Sequence, residues 1–305
     1  MIQIQGLTKQ YSKRQPPALR DMNLEINPGE IMGFAGLNGA GKSTTIRIVS
    51  GIIFPTSGKV LVNGHDIVKE KVEASKHIGW VPELPNFDPN GKAVPLLKYY
   101  AGFYGIHPRE AEEKAEMLLK KFNVWEARKR PLKEYSQGMK KRFSIAAAMI
   151  GDPDNFLFDE TLNGLDPEGV KNMRDFMLSL KKDGKAVFLS SHILSELENV
   201  ADRIAIIRRG ELIKVIERSE LGNLGKTSIR ITLQTSDARV AGVLEEYGSV
   251  EINGNVIYLR DLKLPMEESY KISEALFSAG YRVISIASES EGLEEYFLQL
   301  VGEGK

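Results

Sequence analysis

Along the first 80 residues, apolar positions come in short runs separated by turn residues: IQIQ, NLEINPGE, EIMGFAG, KVLVNGHD and HIGWVPE, with Pro28-Gly29 and Asn63-Gly64 between them. Short runs with such punctuation predict β-strands. From Pro95 to Gly151 the apolar spacing changes to three and four, as in LLKYYAGFYG and AEEKAEMLLKKF, which predicts a helical insert. NFLFD and AVFLSS then read as strands flanking the helical VKNMRDFMLSLKK, an order that predicts a parallel sheet with crossover helices. RIAIIRRGELIKV predicts a hairpin across Arg209-Gly210.

The next segment, ERSELGNLGKTS, is polar and glycine-containing and reads as a linker. Beyond it IRITL, DARVAGVLEEYG, SVEI, NVIYLRD, MEESYKISEALFSAG and YRVISIAS predict strand, helix, strand, strand, helix, strand, with Asn253-Gly254 as the hairpin turn. That is the split βαβ, ferredoxin-like order, with an amphipathic helix, LEEYFLQLV, appended. The expected division is residues 1–218, with the helical insert at about 93–150, and a small α+β domain at 226–305. No internal repeat or low-complexity tract interrupts it.

Composition removes several alternatives. Lys plus Arg and Asp plus Glu both number 41, so the formal net charge of zero predicts no bulk attraction to nucleic acid or anionic lipid. The absence of cysteine excludes a disulfide framework, a thiolate metal site and a thiol nucleophile, and fits a reducing compartment. The opening MIQIQGLTKQYSK lacks the features of a signal peptide. No run of about 18 apolar residues occurs, so any membrane role is expected to depend on a partner chain.

The stretch GFAGLNGAGKSTTIRIVSG concentrates glycine between a predicted strand and a predicted helix. Gly36, Gly41, Lys42 and Ser43 satisfy G-x-x-x-x-G-K-[ST], the phosphate-binding loop. The backbone N–H groups of Gly36, Leu37, Asn38, Gly39, Ala40, Gly41, Lys42, Ser43 and Thr44, with the positive end of the following helix, suit phosphate. Lys42 would neutralise the outer phosphate oxygens, and the Ser43 hydroxyl would ligate Mg²⁺. A surface turn of the same composition is the bland reading, which the flanking strand and helix disfavour.

In NFLFDE, Asp159 and Glu160 end an apolar strand, where Asp159 can hold hydrated Mg²⁺ and Glu160 can orient or deprotonate an attacking water. YSQGMKKR opens a helix, NGLDP supplies Asp166, and LSSH ends another strand with His192. Singly, each has an ordinary structural explanation as a strand end, a turn or a packed histidine. In this order and spacing they resemble the ATPase of ATP-binding-cassette (ABC) proteins, over residues 1 to about 220.

The resemblance implies an α/β P-loop NTPase core with a β-rich N-terminal subdomain, and an ATP-hydrolysing subunit using ATP and Mg²⁺. It also implies roles for individual residues. Tyr11 would stack on adenine, its competing role being core packing. Ser136, Gln137, Gly138 and Met139 would face the γ-phosphate held by a second cassette. Asp166 would couple the two sites, and His192 would hydrogen-bond the γ-phosphate or the attacking water. The functional unit would be a homodimer or heterodimer of cassettes, peripheral on the cytoplasmic face of a membrane through a separate transmembrane permease.

Three departures stand out. Tyr135-Ser136-Gln137-Gly138-Met139 replaces the usual Leu-Ser-Gly-Gly-Gln and resembles drug- and multidrug-type exporter ATPases, which points to export. Glu83 occupies the place of a common glutamine that links Mg²⁺ to the membrane partner, where the resemblance implies a nucleotide-site residue and a carboxylate could still ligate the ion, and Thr161 occupies that of a common proline. Between Glu83 and about Tyr104, the resemblance implies a docking site for a helix of the membrane partner. Trp80, Phe87, Tyr99, Tyr100, Phe103 and Tyr104 could serve there or form the core of the insert.

The alternative function is a soluble cassette acting on DNA or ribosomes. It lacks support from sustained heptads or a second cassette, and the basic runs Arg128 to Arg130 and Lys140 to Arg142, which could touch nucleic acid, read as solvated faces beside helices, so no nucleic acid is expected. A GTPase would need an Asn-Lys-x-Asp motif, which is absent. For the C-terminal domain, dimer stabilisation, control of hydrolysis, partner contact and simple packing on the cassette all remain open.

Overall fold

The computed structural model describes residues 1–163, 165–220, 227–265, 268–290, 297 and 300, in two compact units, Met1–Arg218 and Ser219–Lys305. The appended last helix and the middle of the linker fall largely outside the described residues.

In the first unit the strands are β1 (Ile2–Lys9), β2 (Leu19–Ile26), β3 (Ile31–Ala35), β4 (Ser57–Val62), β5 (His65–Asp66), β6 (Ile78–Val81), β7 (Asn155–Asp159), β8 (Ala186–Ser191), β9 (Arg203–Arg208) and β10 (Glu211–Glu217). The helices are α1 (Lys42–Val49), α2 (Lys71–Lys76), α3 (Ala93–Gly102), α4 (Pro108–Lys121), α5 (Gln137–Met149), α6 (Pro167–Lys182) and α7 (Leu194–Glu198). An antiparallel sheet runs β2-β1-β4-β5, and a larger one runs β10-β9-β3-β8-β7-β6. In the larger sheet β9, β3, β8, β7 and β6 are parallel, with β10 antiparallel at one edge.

The sequence separates the two sheets by pattern. β2 alternates buried and exposed positions, as a strand with one wet face does, whereas every residue of β3, β7 and β8 is buried. Burial on both faces is what an interior parallel strand requires, and it explains the unbroken apolar runs IMGFA, NFLF and AVFL. The core joins Ile2, Ile4, Met22 and Val60 of the antiparallel sheet to Phe34, Leu157 and Phe188 of the parallel one. The short α2 had no counterpart in the predicted pattern.

Parallel pairing also builds the site. Ala35 lies opposite Ser191, and Asp159 opposite Ser190, so the ends of β3, β8 and β7 arrive level at one edge of the sheet. Val81, opposite Phe158, brings the chain leading to Glu83 to the same edge. Residues distant in sequence meet there through this register, at the carboxyl ends of the strands, where open α/β sheets bind ligands.

The helical insert has its own core. Ala93, Leu97 and Ala101 of α3 face Ala111, Ala115, Leu118 and Leu119 of α4 and Phe143, Ala146 and Ile150 near α5. The alanines allow close helix approach, and Phe143, 0% exposed, fills the centre with Phe87 edge-on at 4.9 Å. Phe143→Ala is expected to lower the stability of the first unit by about 3–5 kcal/mol through lost burial and the cavity left behind. Chemical denaturation would measure this.

The second unit contains β11 (Thr227–Leu233), α8 (Arg239–Leu244), β12 (Ser249–Asn253), β13 (Val256–Arg260), α9 (Tyr270–Ser278) and β14 (Val283–Ser290). Its antiparallel sheet runs β12-β13-β11-β14, which meets the ferredoxin-like expectation. Ile229, Ile231, Ile257 and Leu259 of the sheet pack with Val240, Leu244, Ile272 and Leu276 of the two helices.

Candidate functional site

The phosphate loop joins β3 to α1. A Cβ on Gly36 would lie 2.7 Å from the Ile207 carbonyl oxygen. Gly41 has φ 117°, and a Cβ there would lie 2.7 Å from Leu19 and 2.8 Å from the Ala18 carbonyl oxygen. Neither position has room for a side chain, and Gly41 also needs a backbone angle that other residues rarely adopt. Gly41→Ala is expected to displace the loop and weaken ATP binding on the order of 10- to 100-fold, the equivalent of the roughly 1–3 kcal/mol of such strain. Isothermal titration would detect it.

A cleft of about 270 Å³ opens beside the loop, lined by Ala18, Asn38, Gly39, Gly41, Lys42, Ser43, Thr44, Glu83, Glu160, Asn163 and His192. Nine of the residues singled out in the sequence therefore line one cleft. Asp159 lies beneath them, 3% exposed. Gly36, Leu37 and Ala40 complete the loop, with the Ala40 N–H donating to Leu37 O at 3.0 Å. Tyr11 is 58% exposed, which rules out the core role, and its hydroxyl lies 3.4 Å from Thr44 Oγ1.

Lys42 is 5% exposed, and its ammonium donates to Gly36 O at 2.6 Å and Leu37 O at 3.4 Å. Its third partner is Glu160 Oε1 at 3.1 Å. The other Glu160 oxygen, Oε2, accepts from His192 Nδ1 at 2.8 Å and from Asn163 Nδ2 at 3.0 Å. A carboxylate only accepts, so Nδ1 of His192 carries a hydrogen, and in the neutral ring Nε2 is then an acceptor. Glu160 has φ 50°, and its N–H is held by the Ser190 hydroxyl and carbonyl oxygens at 3.0 and 3.2 Å.

The two adjacent carboxyls are driven in opposite directions. Burial raises that of Asp159 above its ordinary value, against the opposing effect of hydroxyl donors from Ser190 at 2.9 Å and Ser43 at 3.1 Å. Burial also pushes Glu160 up, but His192 and Lys42 together outweigh it and hold the carboxyl below its ordinary value. Ser43 and Asp159 thus present a hydroxyl and a carboxylate to one point. Such hard oxygen donors fit Mg²⁺, which keeps several waters and takes few protein ligands.

The signature residues stand apart from this cleft. The Ser136 hydroxyl caps α5 by accepting from the Met139 N–H at 3.2 Å, which leaves its own hydrogen free to donate. Ser136 and Gln137 are exposed, and Met139 is half-buried. Asp166 caps α6, accepting from the Gly169 N–H at 3.1 Å. Gly138 and Asp166 line a different cavity of about 620 Å³ between α4, α5 and α6. Thr161 is fully buried, and its hydroxyl has no partner among the described residues. Thr161→Val is therefore expected to leave the melting temperature unchanged or slightly raised.

Sequence reasoning missed Ser190, which serves Asp159 and Glu160 together, and Asn163, whose amide holds Glu160. It also missed Lys141, 7% exposed, whose ammonium donates to Asn163 O at 3.4 Å. Burial lowers the Lys141 pKa to about 8, with Glu83, Glu196 and Glu160 opposing the shift. The position of Asn163, three residues after Glu160, was the available signal for that residue.

The profile of the family described as ABC transporter matches residues 19–163. The bacitracin transport ATP-binding protein BcrA of Bacillus licheniformis is 32% identical over 305 residues, covering 100% of this chain and 98% of that protein. The lantibiotic transport ATP-binding protein SrtF of Streptococcus pyogenes is 36% identical over 213 residues, covering 70% and 89% respectively. Among solved structures, an ATP-binding subunit of an ABC transporter aligns with a TM-score of 0.65 at 27% identity, covering 73% of this chain and 92% of that one. A dimeric, post-hydrolysis ATP-binding cassette bound to ADP and Pi shares the fold, with a TM-score of 0.65 at 24% identity, covering 72% and 99%. These relatives bear out the transporter reading and lend nothing to the nucleic-acid one. The chain belongs to the ATP-binding subunits of ABC transporters, the ATPases of that family.

Proposed function

We propose that two cassettes, two copies of this chain or this chain with a homologue, close on Mg-ATP, and that hydrolysis reopens them to drive export through a separate permease. The observation that carries this reading is the separation of Gly138 and Asp166 from the cleft of Lys42 within one chain. A signature turn that does not line its own nucleotide cleft is free to serve another cassette. The relatives named for bacitracin and lantibiotic transport favour a cargo of that kind.

The chain's own residues divide the work. The loop N–H groups and the N-terminus of α1 receive the phosphates. Lys42 exchanges Glu160 for phosphate oxygens, which frees the carboxylate to orient the attacking water and accept its proton. His192 keeps one Glu160 oxygen oriented, and its second nitrogen can accept a hydrogen bond within the cleft that it lines. Ser43 and Asp159 would hold Mg²⁺, which when bound offsets the charge on the phosphates. Glu83, exposed at the mouth of the cleft, is one of the lining residues and is assigned no step.

A groove of about 480 Å³ suits the permease. It is lined by Trp80, Leu84, Phe87, Tyr100, Phe103 and Tyr104 among others, with Leu84 76% and Phe103 65% exposed. Exposed aromatics around an apolar groove mark an interaction surface. The protein would accordingly sit on the cytoplasmic face of the membrane. No helix among the described residues is long and apolar enough to cross it.

Ser136→Arg provides the test. It is expected to leave ATP binding to the chain's own loop within about twofold, while hydrolysis falls about 100-fold or more because the bulky cation blocks the shared site. Equal loss of binding and hydrolysis would argue against sharing between cassettes.

A further inference from the structure

Lys141 is a buried ammonium outside the nucleotide cleft, on the helix that begins at the signature turn. Its stem rises from α5, five residues after Ser136, or about 7.5 Å along the helix axis. Its ammonium reaches out of the helix to the carbonyl oxygen of Asn163, at 3.4 Å. The side-chain amide of the same Asn163 donates to Glu160 Oε2 at 3.0 Å, and Glu160 is bound in turn by Lys42 and His192. One continuous chain of contacts thus runs from the signature helix, through the loop after β7, to the carboxylate proposed above as the base. A charge in so enclosed a position opposes folding unless its partners compensate for the loss of water. A neutral side chain would fill the space at less cost.

We propose that Lys141 is a positioning residue that links the signature turn to the Glu160 of the same chain through Asn163. A shift of α5, when Ser136 engages the phosphate on the partner cassette, moves Lys141 as part of one rigid helix. Asn163 follows its carbonyl oxygen, and its amide re-aims Glu160 in the other active site of the dimer. Each cassette thereby reports to its own base that its signature turn is occupied. This rests on the reading of Glu160 as the base and of the signature turn as serving a second cassette.

The test uses the full chain and four substitutions. Lys141→Met keeps the volume but removes the donor, and Lys141→Arg restores one. The expected result for Lys141→Met is a kcat lower by about tenfold, the scale of coupling carried by such networks, with KM for ATP within about twofold and an equal or higher melting temperature. Lys141→Arg should recover most of the loss. In an Asn163→Ala background, Lys141→Met should lower kcat no further, since the amide that transmits its position is already gone.

Wild-type kcat in Lys141→Met, a parallel rise in KM, a lower melting temperature, or additive losses in the double variant would each overturn the linkage. Glu160→Gln separates the two levels. If it too keeps wild-type turnover, the assignment of the base fails. If it is inactive while Lys141→Met is unaffected, only the linkage fails.

Discussion

Replacing Glu160 by glutamine is expected to cut ATP turnover by about 10²- to 10⁴-fold, the contribution of a positioned general base, while ATP still binds. Binding should hold or tighten. Lys42 is engaged by Glu160 at 3.1 Å, so phosphates have to compete with a buried carboxylate for the same ammonium. Glutamine removes the competitor and the repulsion between like charges, but keeps an oxygen for His192 and Asn163. Lys42 retains the Gly36 carbonyl oxygen at 2.6 Å, which limits the loss of stability. The variant should accumulate as an ATP-bound closed pair, visible as a doubling of mass by gel filtration with Mg-ATP. Turnover reduced by less than about tenfold would exclude Glu160 as the base.

Lys42→Ala acts at the opposite end of the same ion pair and gives the opposite result. ATP affinity is expected to fall by about 10²- to 10⁴-fold, because two charge-assisted contacts to phosphate are lost at roughly 1.5–3 kcal/mol each in a site where water cannot replace them fully. Titration calorimetry would measure it, and unchanged affinity would contradict the role given to Lys42. The pH dependence of folding should change as well. The Glu160 carboxyl titrates below its ordinary value of 4.5, so its contribution to stability is present above that pH and is lost as the pH falls through the lower folded value. Without Lys42 one cause of the lowering disappears. The folded value moves up, and the acid limb of the stability curve becomes shallower. A melting temperature followed from pH 3 to pH 6 should show a smaller change in Lys42→Ala than in the parent.

Parts of the site could be read from the chain because their chemistry is local. The loop around Lys42 depends on fixed spacing between glycines, lysine and serine, and the strands β3, β7 and β8 declare themselves by unbroken apolar runs. What escaped depends on which strands become neighbours. Ser190 is ordinary in sequence and acquires two functions only because β8 lies beside β7. The ion pair between Lys42 and Glu160 joins residues 118 positions apart that meet for the same reason. Lys141 read as one member of the basic run Lys140 to Arg142, since nothing in its spacing separates a buried lysine from a solvated one. The helix α2 was missed because six residues with a single buried position, Ala74, leave no periodicity to detect.

The helical insert leaves the large sheet after β6 and returns at β7, and these two strands are hydrogen-bonded neighbours. Because the two strands are parallel, the chain leaves at the carboxyl edge, where Val81 lies opposite Phe158, and re-enters at the amino edge, where Asn155 lies opposite Ile78, yet no strand pairing has to change when the segment between them is lengthened or exchanged. The end of α5 packs on β6 so closely that a methyl group on Gly79 would come within 2.7 Å of the Ala148 carbonyl oxygen. A segment set between two strands that stay paired can change its exposed surface while the phosphate loop and the carboxylates at the end of β7 keep their places. Outer surface and buried chemistry are thus free to diverge at different speeds.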